Sequence, residues 1–150
     1  MEVLLTNIQN KIAEITAIKY VDEDWGQLDY YSPNLPVQFP CCLIDLNDGD
    51  FSNIGQDLSR SPKNRQNATM LVKLSLANMK LSNTSFKAPK SQKDTAWNIF
   101  GLMEEIHKKM QGFSPDVNCS KMLRKTFHRT KRDDGIQEYA IYYTFEAVNV

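Results

Sequence analysis

Hydrophobic and polar positions follow a helical period most clearly between Ser91 and Gly112. Apolar side chains recur there at three- and four-residue steps and form one stripe, made of Ala96, Ile99, Phe100, Met103, Ile106 and Met110. Ser91 suits an N-cap, with Asp94 three residues further on, and Gly112 stands where a left-handed C-cap is expected. The pattern therefore predicts one long helix that buries its stripe against a sheet.

A second amphipathic pattern covers residues 2–16 and predicts a first helix. Its apolar side is formed by Leu4, Leu5, Ile8, Ile12 and Ile15. The β-branched run from Ile18 to Val21 predicts a short strand after this helix. The acidic triplet at 22–24 follows; we interpret it as a solvated turn, because no regular set of oxygen ligands surrounds it.

Alternation with a period of two predicts four longer strands. Gln38–Leu46 is apolar on both faces, which is typical of a central strand, and Cys41 and Cys42 then point to opposite faces. Asn67–Lys80 directs one set toward the long helix, namely Met70, Val72, Leu74 and Leu76. Lys121–Thr130 and Ile136–Val148 form a hairpin whose aromatic set faces the helices: Tyr139, Tyr143 and Phe145.

The segments between these strands are predicted to be irregular. Residues 47–50 are interpreted as a turn, and residues 51–66 as a long polar surface loop whose Lys63 and Arg65 are candidates for contact with phosphates. Residues 25–37 contain prolines, which disfavour a central strand, and three aromatic residues: Trp25, Tyr30 and Tyr31. These aromatics either pack on the edge of their own domain or are offered to a partner.

The order of predicted elements is helix, strand, strand, strand, helix, strand, strand. This order is typical of an α+β fold with one mainly antiparallel sheet and both helices on one face. A length of 150 residues suits one domain covering positions 1–150.

Charge is balanced overall but uneven along the chain. Residues 1–59 carry ten acidic and two basic side chains, whereas residues 60–132 carry sixteen basic and four acidic ones. Either the two kinds of segment interleave on one surface, or opposite faces carry opposite charge. The second arrangement suits head-to-tail self-association.

Motifs for catalysis, metals and cofactors are not evident in the sequence. The two histidines, His107 and His128, do not stand near a cysteine at metal-ligand spacing, and no glycine-rich phosphate loop occurs. We therefore expect no enzyme activity, no cofactor and no metal; an enzyme that uses loop 25–37 as a pocket wall is the weakest alternative. No apolar run reaches membrane-spanning length, and the N-terminus does not resemble a signal peptide. Three cysteines without framework spacing favour buried thiols in a reducing compartment.

The first strand of the terminal hairpin is strongly basic. Its positive side chains continue into the tip, where Arg129, Lys131 and Arg132 lie. A cationic β-ribbon can bind a nucleic-acid backbone, but charge also protects a strand against unwanted pairing.

The layout of the chain resembles the tail-terminator, or tail-completion, proteins of long-tailed bacteriophages and prophages. Those proteins share an early amphipathic helix, a proline-bearing loop before a strand, a strand pair, a long second helix and a final hairpin. The matching segments here are Val3–Ile15, Pro33–Leu46, Asn67–Lys80, Ser91–Gln111 and Lys121–Val148.

This resemblance implies a structural role in virion assembly. Family members form rings, typically hexamers, that cap the tail tube and face the head connector. The expected partners are then other copies of this chain, tail-tube or head-connector proteins and, through Arg129, Lys131 and Arg132, a neighbouring subunit or DNA. The expected location is the virion tail, or the bacterial host cytoplasm during assembly. The alternative from the residues alone is a monomeric nucleic-acid-binding module that uses its basic hairpin.

Overall fold

The computed structural model describes residues 1–30, 34–80 and 83–150. Three α-helices and five strands occur in it, with a short 3-10 helix at 27–29 after the first strand. The elements are α1 (Glu2–Ala13), β1 (Tyr20–Glu23), β2 (Cys41–Gln56), β3 (Asn64–Met79), α2 (Lys90–Ala96), α3 (Asn98–Met110), β4 (Leu123–Thr130) and β5 (Ile136–Ala147). The α+β class is confirmed.

The five strands form one sheet in the order β1-β2-β3-β5-β4. β1 runs parallel to β2, and every other pair is antiparallel. Apolar side chains of α1 and α3 pack against one face of this sheet, as predicted, in a core that includes Ile8, Ile12, Ile99, Ile106, Val72, Leu74, Ile141 and Tyr143. Burial of this apolar area is the main stabilising contribution to the fold.

A smaller cluster covers part of the opposite face. Leu28, Cys41 and Leu43 are buried there, beneath the half-buried Leu35 and Phe39. Cys42 belongs instead to the core under the helices, so the predicted division of the two thiols between faces is confirmed. Residues 35–39, just before β2, therefore pack on their own sheet.

The prediction of one continuous helix from Ser91 to Gly112 is wrong. The helix is interrupted at Trp97, whose φ of −98° and ψ of 6° separate α2 from α3. Ser91 lies inside α2 and Pro89 occupies the N-cap. α2 buries only Ala96, so packing does little to hold it in line with α3. Gly112 has a φ of +78°, in the left-handed region predicted for it.

The predicted turn at 47–50 and the predicted loop at 51–66 are also wrong. β2 runs through both regions to Gln56, with register shifts at Leu46/Asp48 and Asn53/Gly55, and pairs with β3 from Asn64 onward. From Asp50 to Gln56 both faces of β2 are exposed, so this part of the strand carries no apolar alternation that a sequence pattern could reveal. Residues 48–67 are called the arm below.

The acidic triplet 22–24 is not simply a turn, because Asp22 and Glu23 belong to β1. The Asp22 carboxylate accepts hydrogen bonds from the Tyr20 hydroxyl at 2.7 Å and from the Trp25 indole at 3.3 Å. These donors lower the pKa of Asp22, although burial acts in the opposite direction and is the largest single influence. Local partners thus hold this carboxylate within the strand.

Candidate interaction surface

β4 forms one edge of the sheet, and all eight of its residues are exposed. Arg124, Phe127 and Arg129 project on the helix side, because their cross-strand partners on β5 face the helices. The amide of Arg124 donates to the Gln111 side chain at 2.9 Å. Beyond it, among the residues the structure describes, no group hydrogen-bonds to the outer side of residues 126–130, which we call the β4 edge. Unpaired edge groups of this kind are ready to bind another strand.

An aromatic group lies beside the β4 edge. The buried ring of Tyr139 packs edge to face with Phe100 of α3 at 5.4 Å and contacts Phe127 at 6.3 Å between centroids. The Arg129 guanidinium lies 5.8 Å above the Tyr139 ring. Phe127 remains 54% exposed despite these contacts. An exposed aromatic next to cationic groups is the composition of an interaction anchor.

Arg132, predicted as an interaction residue, is turned inward. Its side chain is only 13% exposed and forms ion pairs with Asp134 at 2.8 Å, Glu138 at 3.2 Å and Asp29 at 3.2 Å. It also donates to the Leu28 carbonyl at 2.7 Å. The guanidinium lowers the pKa of Asp134 through its hydrogen bonds. Arg132 therefore joins the hairpin tip to the segment after β1, whereas Arg129 and Lys131 stay exposed.

The opposite edge of the sheet, at β1, carries side-chain caps. The Gln9 amide donates to the Val21 carbonyl at 3.0 Å, and the Gln27 amide donates to the Glu23 carbonyl at 2.8 Å. Gln27 is fully buried and also accepts from the Trp25 backbone amide at 2.9 Å. Side chains of this chain thus occupy groups that strand addition at β1 would need.

The two basic candidates of the arm have different roles. Lys63 is exposed in the turn, where its carbonyl accepts from the Asp57 amide at 2.8 Å. Arg65 is only 8% exposed and donates to the side chain of Asn149 at 2.7 Å, to its carbonyl, and to the Pro62 carbonyl at 3.2 Å. Arg65 therefore fixes the base of the arm, and Lys63 alone of the pair is presented to solvent.

Trp25 and Tyr30 pack on each other at the surface. Their rings meet edge to face at 5.6 Å, and each side chain remains about half exposed. Tyr31, the third aromatic predicted here, lies outside the described residues. The structure brings Trp25 and Tyr30 together beside Asp22, on neither the β4 edge nor the arm.

The sequence interpretation did not single out several exposed apolar residues of these surfaces, among them Phe51, Ile54 and Leu58 of the arm and Phe127 of β4. The arm residues stand among Asn, Asp, Gly and Ser, a composition typical of loops. In β4 the sequence does contain an indication: Phe127 is an aromatic residue within a run of basic residues, and an exposed aromatic there points to a contact surface.

Outside these surfaces, burial shifts the pKa values of two cysteines and one histidine. Burial raises the pKa of Cys41 to about 12 and raises that of Cys42 as well. Desolvation lowers the pKa of His107, whose Nδ1 lies 3.2 Å from the Tyr143 hydroxyl. In the described ranges, no three His, Cys, Asp or Glu side chains are grouped so that they could hold a metal ion. No helix within those ranges has the length and apolar character needed to cross a bilayer.

Comparison with known structures establishes a likeness of fold. The chain superimposes with a TM-score of 0.52 on a chain from the virion of a native gene transfer agent particle. The alignment covers 97% of this chain and 94% of the other, at 6% sequence identity. No protein-family model matches the sequence, and no curated protein does.

Proposed function

We propose that this chain is a structural protein of virion assembly. The observation that carries the proposal is the fold likeness to a virion chain over nearly the whole length of both chains. Function does not follow from fold alone. Here the surfaces agree with it, because the chain presents a bare strand edge and exposed aromatics.

The specific role we propose is that of a phage or prophage tail terminator. The layout of α1, the β2–β3 pair, α2–α3 and the β4–β5 hairpin matches what the sequence resemblance implied. In this role the chain forms a ring, hexameric as in that family, at the head-proximal end of the tail. Its partners are then other copies of itself and tail-tube or head-connector proteins, in the virion or in the host cytoplasm during assembly.

The proposed role is assembly and does not involve catalysis. The described residues most suited to contact are exposed side chains: Arg129, Lys131, Lys63, Phe127 and Phe51. Arg132 and Arg65 support the fold around them through internal hydrogen bonds.

Light scattering at low and moderate salt tests the ring directly. We expect a closed multimer, with a mass that is a fixed multiple of 17.3 kDa over a range of concentrations. A mass that rises continuously with concentration would indicate an open chain of subunits instead. A monomer under all these conditions would contradict self-assembly.

A nucleic-acid-binding module is the second candidate, and the exposed basic surface of β4 favours it. Arg124, Lys125 and Arg129 flank the exposed ring of Phe127, and exposed aromatics can stack on bases. This candidate predicts DNA or RNA binding whose affinity falls steeply with salt. Binding to a labelled oligonucleotide, titrated with salt, separates it from the ring, which needs no nucleic acid.

A further inference from the structure

A second bare edge lies on β2, on the side of the sheet away from β4. β1 pairs with β2 only as far as Ile44. On that side, the rest of β2 has no neighbouring strand among the described elements, while β3 pairs with its other side. The Gly49 amide is occupied by the Asp48 carboxylate at 2.9 Å. From residue 50 to residue 56, no described group hydrogen-bonds to the outer side of β2. We call residues 50–56 the arm edge.

The other strand of the arm is closed. β3 pairs with the C-terminal segment through two backbone hydrogen bonds between Gln66 and Val150, at 3.2 and 2.8 Å. The arm therefore offers one edge for pairing and not two. Within the described part of the sheet, the arm edge and the β4 edge are left facing outward in opposite directions.

The two edges carry opposite charge. The arm edge contains one carboxylate, Asp50, and no basic side chain, while the β4 edge contains one basic side chain, Arg129, and no carboxylate. The segments around them have the same signs: residues 45–58 contain four carboxylates and no basic side chain, and residues 121–132 contain six basic side chains, of which Arg132 is paired internally, and no carboxylate. Pairing of two β4 edges, or of two arm edges, would bring segments of like charge together, which is unfavourable. Pairing of an arm edge with a β4 edge brings segments of opposite charge together, with Asp50 on the face away from the helices and Arg129 on the helix side.

Their side chains also match face by face. On the helix side the arm edge presents Phe51, opposite Ala68 in the core register, and the β4 edge presents Phe127; each is about half exposed. On the other side the arm edge presents Asp50 and Ser52, and the β4 edge presents Thr126 and His128. When two sheets join with helices on the same side, the aromatic side chains of Phe51 and Phe127 thus lie on the same face of the joined sheet.

We infer that copies of this chain associate by pairing the arm edge of one subunit with the β4 edge of the next. This inference rests on the proposed ring and specifies its contact. The contact is heterologous, since different patches meet, and a heterologous contact that closes forms a ring. The backbone hydrogen bonds extend the sheet from subunit to subunit, while the charge of the surrounding segments disfavours self-pairing of either edge.

Cysteine cross-linking distinguishes this contact from other modes of assembly. Ser52→Cys and Thr126→Cys are made separately in a Cys119→Ser background, because Cys41 and Cys42 are buried while Cys119 is half-buried. Both positions are exposed, so each variant is expected to keep its thermal midpoint. A short bis-maleimide is added to each variant alone and to an equal mixture.

We expect a dimer-sized product in the mixture, at least tenfold above either variant alone, and a ladder of larger products from the double variant. Equal cross-linking of Thr126→Cys alone, or of Ser52→Cys alone, would overturn the inference. A sample that is multimeric by light scattering yet does not cross-link overturns this contact and leaves the ring standing. A sample that is monomeric throughout overturns the ring and the contact together.

Discussion

The two outermost strands of the sheet, β1 and β4, differ in how far side chains cap the backbone groups of their outer edges. β1 is four residues long and has carbonyls bound by the side chains of Gln9 and Gln27. β4 is eight residues long and every residue in it is exposed; of the described side chains, only Gln111 caps its outer edge, at the Arg124 amide. An edge strand invites pairing unless it is covered, and the positive charge of β4 disfavours a second basic edge but not an acidic one. The difference indicates that substitutions at β1 should disturb the fold, and those at β4 should disturb assembly.

The largest expected effect is on assembly, from charge reversal at the two bare edges. The arm variant is Asp50→Lys with Ser52→Lys, and the β4 variant is Thr126→Glu with His128→Glu, which lie on the same face of the joined sheet. The β4 variant alone places its glutamates against Asp50, and the arm variant alone places its lysines against a basic segment, so we expect association at least tenfold weaker than in the unaltered chain by light scattering. In an equal mixture the introduced lysines can meet the introduced glutamates, and the multimer should be recovered.

The mixture is the control for damage to the fold, because misfolded variants would not recover on mixing. Thermal midpoints of both variants should stay close to that of the unaltered chain. Multimers of undiminished mass in either variant alone would mean that these edges do not meet.

The second largest effect is expected at Arg132, which separates the structural arginine from its exposed neighbour. Arg132→Ala removes the partner of Glu138, whose side chain is only 10% exposed, and should lower the free energy of unfolding by about 3 kcal/mol. Arg129→Ala, at an exposed site, should change it by no more than about 0.5 kcal/mol. Urea unfolding of the two variants measures the difference, and equal losses would contradict the assignment of Arg132 to the fold.

A smaller loss of stability is expected from Gln27→Ala at the β1 edge. The substitution leaves the Glu23 carbonyl and the Trp25 amide without their side-chain partner, at a cost of roughly 2 kcal/mol. Thr126→Ala on the β4 edge is the matched control and should be nearly neutral, because Thr126 is exposed. Thermal unfolding compares them; a neutral Gln27→Ala would remove the contrast between the edges.

The smallest expected effect is a change in how stability depends on pH. The pKa of Asp134 is lowered from its ordinary value of 3.8, mainly by its hydrogen bonds to Arg132. A lowered carboxyl pKa stabilises the folded state above 3.8, and this contribution is lost as the pH falls through the folded value. We expect Arg132→Ala to show a shallower loss of stability below pH 3.8 than Arg129→Ala, in urea titrations across the acid range. Parallel profiles would mean that Arg132 does not set this pKa.

Most of the buried framework was predictable because burial imposes a period on the sequence. The stripe of α3 and the alternation of β3 and β5 reflect one apolar face each, and the predicted faces are confirmed except in the stripe, where Phe100 is 44% exposed and Leu102 is buried instead. The break at Trp97 was not predictable, because the apolar spacing continues across it. The arm was missed for the opposite reason: its β2 strand is exposed on both faces, so burial imposes no apolar period there.

The candidate surface was predictable only as charge. The sequence marked Arg129, Lys131 and Arg132 as one basic tip, but Arg132 is drawn inward by carboxylates that stand near it only in the folded chain. Likewise, Arg65 was marked as a phosphate contact, while its main partner, Asn149, is 84 positions away. Which cations are free is settled by contacts between distant segments.

By itself, the sequence determined the α+β class, the two helical faces, the final hairpin and the uneven charge, because each follows from local period or composition. Tertiary structure decided which edges of the sheet stay open. Edge exposure depends on strand order and on caps such as Gln9 to Val21, where residues from different elements meet. No local pattern encodes that meeting, since the same residues in another strand order would leave other edges bare.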